Sequence, residues 1–182
     1  MDLISKNAAA PIPPSGLANL MAALTWSTGR DFDLMVFAKT TSGERKLFFY
    51  GSKGDLNTDD LMLGADKGVG NTAGTNQEDC FIQSLDKYTE LGFVVADYSA
   101  IEKGTPAEFA TSDIKCTLAG FSSDVKQIVD HKVVPDGGMA GNICLIGKIV
   151  KQGPIYVFKN ETNAHSMKGL GSVDGVFDAF GM

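Results

Sequence analysis

The stretch NICLIGKIVKQGPIYVFK, residues 142–159, decides the fold, because it contains two apolar runs separated by a turn signal. Residues 151–154, KQGP, supply the residue types that a tight reversal needs. Residues 155–158, IYVF, are strong β-formers, and Ile155 and Val157 alternate with the residues between them. Two such runs on either side of a turn predict an antiparallel hairpin.

Similar runs occur along the rest of the chain, each bounded by Gly, Asp, Asn or Pro, which is typical of an all-β sandwich. They predict strands at 19–26, 33–38, 46–50, 79–85, 91–98, 114–119, 126–133, 142–150 and 154–159. The longest irregular segment is predicted at 51–78, and the apolar spacing within 169–182 suits one short amphipathic helix. We therefore expect an all-β fold, a two-sheet antiparallel β-sandwich with one short C-terminal helix.

The beginning of the chain is predicted to be an arm. Residues 8–15 read AAAPIPPS, and their three prolines favour extended backbone that neither enters a helix nor donates at the centre of a sheet. We expect residues 1–15 to form a proline-rich extended arm and residues 16–182 to form the sandwich domain. Residues 1–14 are then expected to add little to the core of the domain and to serve contacts between chains.

Composition and charge exclude several classes of protein. The 182 residues carry a net charge of -6, which argues against a nonspecific nucleic-acid binder. No cationic stretch leads into an apolar run at the start, and no segment is apolar enough to span a membrane, so we expect a cytoplasmic protein or one in a particle assembled in the cytoplasm. The three cysteines lack the spacing of a zinc half-site.

Five groups of residues occur in an informative order. They are Leu17 through Leu24-Thr25-Trp26; Asp31-Phe32-Asp33-Leu34; Leu47-Phe48-Phe49-Tyr50; Gly64-Ala65-Asp66 through Glu78-Asp79; and Gly169-Leu170-Gly171 followed by Asp178-Ala179-Phe180-Gly181. In this order and spacing, over most of the chain, they resemble the TerD family of stress and tellurium-resistance proteins. The resemblance implies a β-sandwich that binds calcium in clustered acidic loops.

The candidate calcium ligands are five carboxylates: Asp31, Asp33, Asp66, Glu78 and Asp79. Calcium takes about six to eight oxygen ligands, and carboxylates raise the affinity of a site. Asp31 and Asp33 are two residues apart at the start of a predicted strand, so both can face one ion. The alternative is that these residues are ordinary turn aspartates that cap exposed backbone groups.

Two departures from the family pattern predict a weakened site. Met35 stands where the family usually has another aspartate, and its side chain does not ligate calcium. The segment 68–77 carries Asn, Thr and Gln where the resemblance leads us to expect more carboxylates. We therefore expect Ca²⁺ to bind weakly, at fewer sites than in a typical relative, or to be absent.

Catalytic and nucleotide-binding sites find little support in the sequence. Residues 68–73, GVGNTA, have the G-x-G-x-x-A spacing of a dinucleotide site, but they follow no predicted buried strand and begin no predicted helix. His131 and His165 lie at no spacing that marks nucleophilic catalysis. We expect that the protein is not an enzyme.

The expected function is that of a noncatalytic calcium-binding TerD-like stress and tellurium-resistance module that acts through protein partners. The alternative is a structural component of a large assembly, such as a virion or an injection machine, built on the same sandwich. The proline arm and the reduced acidity of the long loop favour this alternative. Both functions predict protein partners, through self-association or a larger assembly, and neither predicts nucleic acid or a membrane span.

Overall fold

The computed structural model describes residues 1–14, 18–65, 74–107, 109–121, 127–133, 140–169 and 172–180. The strands within them are β1 Asp2–Leu3, β2 Ala9–Ile12, β3 Ala18–Trp26, β4 Asp33–Thr40, β5 Arg45–Phe48, β6 Gly54–Asp55, β7 Leu61–Leu63, β8 Asn76–Ser84, β9 Tyr88–Ala96, β10 Lys115–Phe121, β11 Gln127–Val133, β12 Ile143–Gln152 and β13 Ile155–His165. The helices are α1 Tyr98–Lys103 and α2 Val173–Ala179, and Phe109–Thr111 form a 3-10 turn.

The strands form two sheets, which confirms the predicted sandwich with its C-terminal helix. The seven-stranded sheet has the order β1-β11-β10-β3-β8-β7-β6, and the six-stranded sheet has the order β2-β13-β12-β9-β4-β5. The hairpin expected from residues 142–159 is the antiparallel pair β12–β13, which lies inside the six-stranded sheet between β2 and β9. Every described strand pair is antiparallel except β1 with β11.

All nine predicted strands are present, with their ends moved by a few residues. The predicted irregular segment 51–78 is only partly irregular, since β6, β7 and the start of β8 lie within it. Strands of two or three residues are too short to show an alternating pattern, which is why they escaped prediction. The described helices are also short, and none has the length and hydropathy needed to cross a membrane.

The strand β4 shows how the sandwich buries two separate cores. Its residues Leu34 and Val36 face the space between the sheets, where the main core lies. Met35 and Phe37 face the opposite side and belong to a second core, which helices α1 and α2 cover. Because both faces of β4 are buried, its sequence is a continuous apolar run rather than an alternating one.

The second core depends on a glycine opposite an aromatic ring. Phe37 pairs with Gly92 across β4 and β9, and its ring lies 5.1 Å from the ring of Phe177 on α2, centroid to centroid. A Cβ atom added to Gly92 would lie 2.0 Å from Phe37 Cζ. Glycine at position 92 therefore leaves the space that the Phe37 ring occupies, and the ring in turn contacts Phe177 of the C-terminal helix.

The N-terminal arm is built into both sheets. Strand β1 pairs with β11, and β2 pairs with β13. Leu3, Ala10 and Ile12 are at most 2% exposed and belong to the main core. The expectation that residues 1–14 add little to the core is therefore wrong. The prolines do not prevent this packing because β2 is an edge strand, where a missing backbone donor is tolerated.

A candidate cation-binding cleft

The loop between β3 and β4 is fixed by buried aromatic side chains. Phe32 is buried, and its ring lies 5.6 Å from that of Trp26 and 5.4 Å from that of Phe109. The indole of Trp26 donates to the carbonyl of Arg30 at 2.7 Å. Phe32 therefore acts as an anchor between Asp31, which is exposed, and Asp33, which is half-buried at the start of β4.

Polar contacts with neighbouring segments hold the same loop. The carboxylate of Asp113 accepts from the backbone N–H of Ser27 at 2.7 Å and from its hydroxyl at 2.8 Å. These bonds, the backbone one first, lower the pKa of Asp113 below its usual range. The side chain of Asn76 donates to the carbonyl of Thr28 at 3.2 Å. The loop that carries Asp31 is thus fastened to β8 and to the segment before β10.

Helix α1 forms the opposite wall and is capped at both ends. Asp97 is its N-cap, and Asp97 Oδ1 accepts from the backbone N–H of Ala100 at 2.9 Å. Gly104, with φ of 66°, ends the helix in the left-handed conformation that glycine adopts without strain. Caps at both ends help a helix of only six residues to persist.

One buried asparagine ties this wall to the rest of the domain. Asn142 has no exposed surface, and its Nδ2 lies 3.4, 3.2 and 2.7 Å from the carbonyls of Ala100, Thr105 and Met167, to which it donates. Its Oδ1 accepts from the backbone N–H of Met167 at 2.7 Å. A single side chain therefore joins α1, the segment after it and the segment after β13.

These two walls enclose an open cleft of about 550 Å³ at one end of the sandwich. Four carboxylates contribute to its lining, together with two cationic side chains: Asp31, Asp33, Asp97 and Glu102, with Arg30 and Lys103. The remaining lining comes from Gly29, Tyr98, Ser99, Ala100, Thr105, Pro106 and Ala107. Burial, followed by the negative charge of Asp33, raises the pKa of Tyr98 above its ordinary value.

The other predicted ligands lie in different places. Glu78 shares a small neighbouring pocket with Asp33, Tyr50 and Lys53. Asp79 is 4% exposed and accepts from the side chain of Gln77 at 2.6 Å. Successive residues of a strand point to opposite faces, so Glu78 and Asp79 diverge on β8. Asp66 lies outside the described residues.

The structure thus brings Asp31 and Asp33 together in the cleft, and Asp33 and Glu78 together in the adjoining pocket. It does not bring Asp79 to either place. Among the residues that the structure describes, no three His, Cys, Asp or Glu side chains are grouped closely enough to hold a metal ion. Calcium in the cleft would therefore rely on few carboxylates and on backbone oxygens.

Sequence reasoning missed Asp97 and Glu102, because Asp97 was predicted to lie near the end of a strand at 91–98 and no element was predicted around Glu102. A signal was nevertheless present. The N-cap and C-cap pattern of a short helix is present, because Asp97 is followed by the helix-compatible residues 98–103 and then by Gly104. The preceding apolar run, which is β9, obscured the point at which the strand ends.

Soft metal ligands and nucleophiles lie away from the cleft. Cys80, Cys116 and Cys144 are buried and free, and burial raises the pKa of the Cys116 and Cys144 thiols to about 12. The Nε2 atom of His131 lies 3.1 Å from the carbonyl of Pro11 at the far edge of the sheets. The ring of His165 packs edge-on against Phe180, with 5.1 Å between ring centroids. None of these five side chains is among the residues that line the cleft.

Comparisons of the chain with known protein families, with curated proteins and with solved structures found no match in any of the three. Membership of the TerD family therefore stays a prediction that rests on the order and spacing of the residues quoted above.

Proposed function

We propose that this protein is a noncatalytic calcium-binding module of the TerD-like stress and tellurium-resistance type, which acts through protein partners. The observation that supports the proposal most directly is the position of Asp31 and Asp33. Both line one cleft, next to Asp97 and Glu102, although the two walls are far apart in sequence. This is the end of the sandwich at which the family resemblance implies calcium.

The donor chemistry of the cleft fits a hard cation. Its acidic groups are carboxylates, and its lining includes neither a thiol nor an imidazole. Oxygen donors of this kind select calcium or magnesium over softer transition metals. Asp31 and Asp33 would hold the ion, since Asp97 already uses one oxygen to cap α1. When bound, the ion would supply charge that offsets repulsion among the carboxylates.

The residue at position 35 limits the expected affinity for calcium. Met35, two residues after Asp33, lies wholly inside the second core, where a carboxylate would be buried among apolar side chains. The hydroxyl of Tyr98 lies 3.5 Å from Met35 Sδ, so the Tyr98 side chain packs next to Met35. With few carboxylates at hand, the expected dissociation constant is roughly 10⁻⁵ to 10⁻³ M.

Exposed aromatic surface beside the cleft is consistent with action through partners. The side chain of Tyr50 is 63% exposed, and its ring meets that of Tyr98 nearly at right angles, 5.4 Å away. Tyrosine is enriched at the centres of protein interfaces, because it combines a large apolar face with a polar tip. Calcium in the cleft would change the charge next to this exposed ring and so alter what it contacts.

Thermal unfolding in calcium and in a chelator tests the proposal. We expect about 10 mM calcium to raise the melting temperature of the wild type by about 3–16 °C relative to the chelator EDTA, because an ion that binds only the folded state stabilises it. The variants Asp31→Asn and Asp33→Asn should lose most of this increase. Equal melting temperatures in calcium and EDTA would refute the proposal.

The matched control is Asp86→Asn, which changes the same charge elsewhere. Asp86 is exposed and lies in the turn before β9, whereas Asp97 follows the end of that strand. Nine extended residues separate the two ends, which places Asp86 about 30 Å from the cleft. The Asp86→Asn variant should keep the full calcium effect, and a similar loss in this variant would mean that calcium acts through overall charge.

A further inference from the structure

The cleft is continuous with exposed aromatic surface at its edge. Tyr98 lines the cleft, and its ring lies 5.4 Å from that of Tyr50, with 83° between the two ring planes. Tyr50 is 63% exposed and lines the adjoining pocket together with Asp33, which also lines the cleft. Phe49 packs edge-on against Tyr50 as well, with 5.5 Å between ring centroids. The cleft and these rings therefore form one surface.

The charge of this surface is negative. Four carboxylates and two cationic side chains line the cleft, which leaves an excess of negative charge there. The whole chain has the same sign, with a net charge of -6. Complementary charge steers partners of opposite sign to a surface and suppresses binding of partners of like sign. A basic partner is therefore the one that this surface complements.

The cleft offers more room than a single ion needs. Its volume of about 550 Å³ falls within the range of roughly 300–1,000 Å³ that is usual for sites that take organic groups. No three acidic, His or Cys side chains of the described residues are grouped closely enough to hold a metal ion. A guanidinium group needs fewer ligands, because it pairs with one carboxylate through two parallel hydrogen bonds and lies against an aromatic ring. Asp33 and Tyr98 supply both of these partners in one cleft.

From these observations we propose that the cleft and the rings of Tyr98 and Tyr50 dock a basic segment of a partner protein, with an arginine side chain in the cleft and the flanking residues against Tyr50. The inference rests on the proposed function, since it names the class of partner through which the calcium-binding module acts. Arginine and calcium both use Asp33, so they compete for the cleft. Calcium therefore releases the partner.

Titration of the full-length protein with a basic peptide tests the docking. The probe is a peptide in which arginines alternate with glycines, blocked at both ends, added at low salt in the presence of EDTA and followed by NMR. We expect saturable binding, and a peptide with lysine in place of arginine should bind several-fold more weakly, because an ammonium group neither pairs in parallel with a carboxylate nor stacks on a ring. Absence of saturable binding at millimolar arginine peptide would overturn the proposal, and equal binding of the lysine peptide would overturn the choice of arginine.

Two variants remove the two parts of the surface separately. Asp33→Asn should weaken binding of the arginine peptide about tenfold, because it removes the charge-assisted hydrogen bonds. Tyr50→Leu keeps an apolar side chain but removes the aromatic ring, and it should weaken binding about threefold. Since Tyr50 is exposed, its substitution leaves the core intact. Wild-type affinity in either variant would overturn the docking position.

The matched controls change the same residue types elsewhere. Asp86→Asn removes a charge in the exposed turn before β9. Phe81→Leu removes a ring that is 38% exposed on β8 and is not among the residues that line the cleft or the adjoining pocket. Both variants should bind the arginine peptide as the wild type does. A loss in Asp86→Asn equal to that in Asp33→Asn would show that the peptide responds to overall charge, and would overturn the proposal.

Competition with calcium separates this inference from the proposed function. About 10 mM calcium should weaken peptide binding several-fold more than sodium chloride of the same ionic strength does. If calcium stabilises the protein but leaves peptide binding at the level of the salt control, the two cations do not share the cleft, and the competition is overturned. Peptide binding without any effect of calcium on melting would refute the proposed function and leave the docking in place. Calcium stabilisation without peptide binding would refute the docking alone.

Discussion

Asn142 is the side chain on which the wall of the cleft depends most. It donates toward three carbonyls and accepts from one N–H, and it has no exposed surface. Replacing it by alanine leaves buried backbone groups without partners. We expect Asn142→Ala to lower the free energy of unfolding by about 2–4 kcal/mol, measured by urea denaturation.

Asn57→Ala is the control, because Asn57 is an exposed turn residue. Its substitution should change the free energy of unfolding by no more than about 0.5 kcal/mol. If the two variants are equally stable, the hydrogen bonds of Asn142 do not hold the wall in place.

Asp113 predicts a specific dependence of stability on pH. The bonds from Ser27 lower the pKa of Asp113 in the folded chain. A carboxyl with a lowered folded pKa stabilises the fold fully above its unfolded pKa, near about 4, and this contribution is lost as the pH falls through the folded value. The loss of stability caused by Asp113→Asn should therefore be larger at about pH 6 than at about pH 2.

The measurement is the difference in unfolding free energy between wild type and Asp113→Asn across this pH range. Asparagine offers one side-chain oxygen where the Asp113 carboxylate offers two to the N–H and hydroxyl of Ser27. The difference in unfolding free energy between wild type and variant is therefore expected to become smaller as the pH falls. A difference that stays constant, or widens, as the pH falls would show that ionised Asp113 does not fasten the loop.

At the same scale, the sequence could predict the placement of some proposed ligands and not of others. Asp31 and Asp33 both line one cleft, and this nearness could be predicted because the two residues are only two positions apart at the start of a strand. Glu78 and Asp79 were treated as members of one loop, because strand β8 was predicted to begin at residue 79 instead of 76. Once Glu78 is inside the strand, alternation sends the two side chains to opposite faces.

Among the elements, the arm carries the largest correction. Leu3 and Ile12 lie in the main core together with Ala10. Removing residues 1–14 exposes the apolar positions that these side chains cover, at about 1.5–3 kcal/mol for each large side chain. We expect the deletion to destabilise the domain by about 4–6 kcal/mol, measured by chemical denaturation under conditions in which the protein is monomeric.

A deletion that leaves the denaturation midpoint unchanged would mean that the arm is not part of the core in solution. The sequence could not predict this packing, because the partners of the arm lie more than a hundred residues away. Isolated apolar residues among prolines give no periodic signal. By contrast, the hairpin β12–β13 was predictable, since its strands and its turn are contiguous.

Helix α1 shows a similar limit. Its caps are visible in the sequence, but a helix of six residues gains most of its stability from packing, here through the buried side chain of Ile101 in the second core. That packing requires the outer face of the six-stranded sheet to be apolar; the continuous apolar run in β4 indicates such a face but not which segment covers it. The caps predict the helix, but no sequence pattern shows that Asp97 and Glu102 line the same cleft as Asp31 and Asp33.

At the scale of the whole molecule, the cleft and the N-terminal arm are built from different residues. The cleft lies where β3, β4 and α1 meet, and the arm closes the edges next to β11 and β13. Calcium binding and the packing of the arm can therefore be tested separately. The role as a structural component of a large assembly stays a prediction.

The most direct test of the central claim is isothermal titration of the full-length protein with calcium at millimolar concentrations. The proposed site predicts saturable binding with a dissociation constant of roughly 10⁻⁵ to 10⁻³ M, at least about tenfold weaker in Asp33→Asn and unchanged in Asp86→Asn. If the wild type shows no saturable heat, or if Asp33→Asn binds calcium as tightly as the wild type does, the cleft does not hold calcium through Asp31 and Asp33.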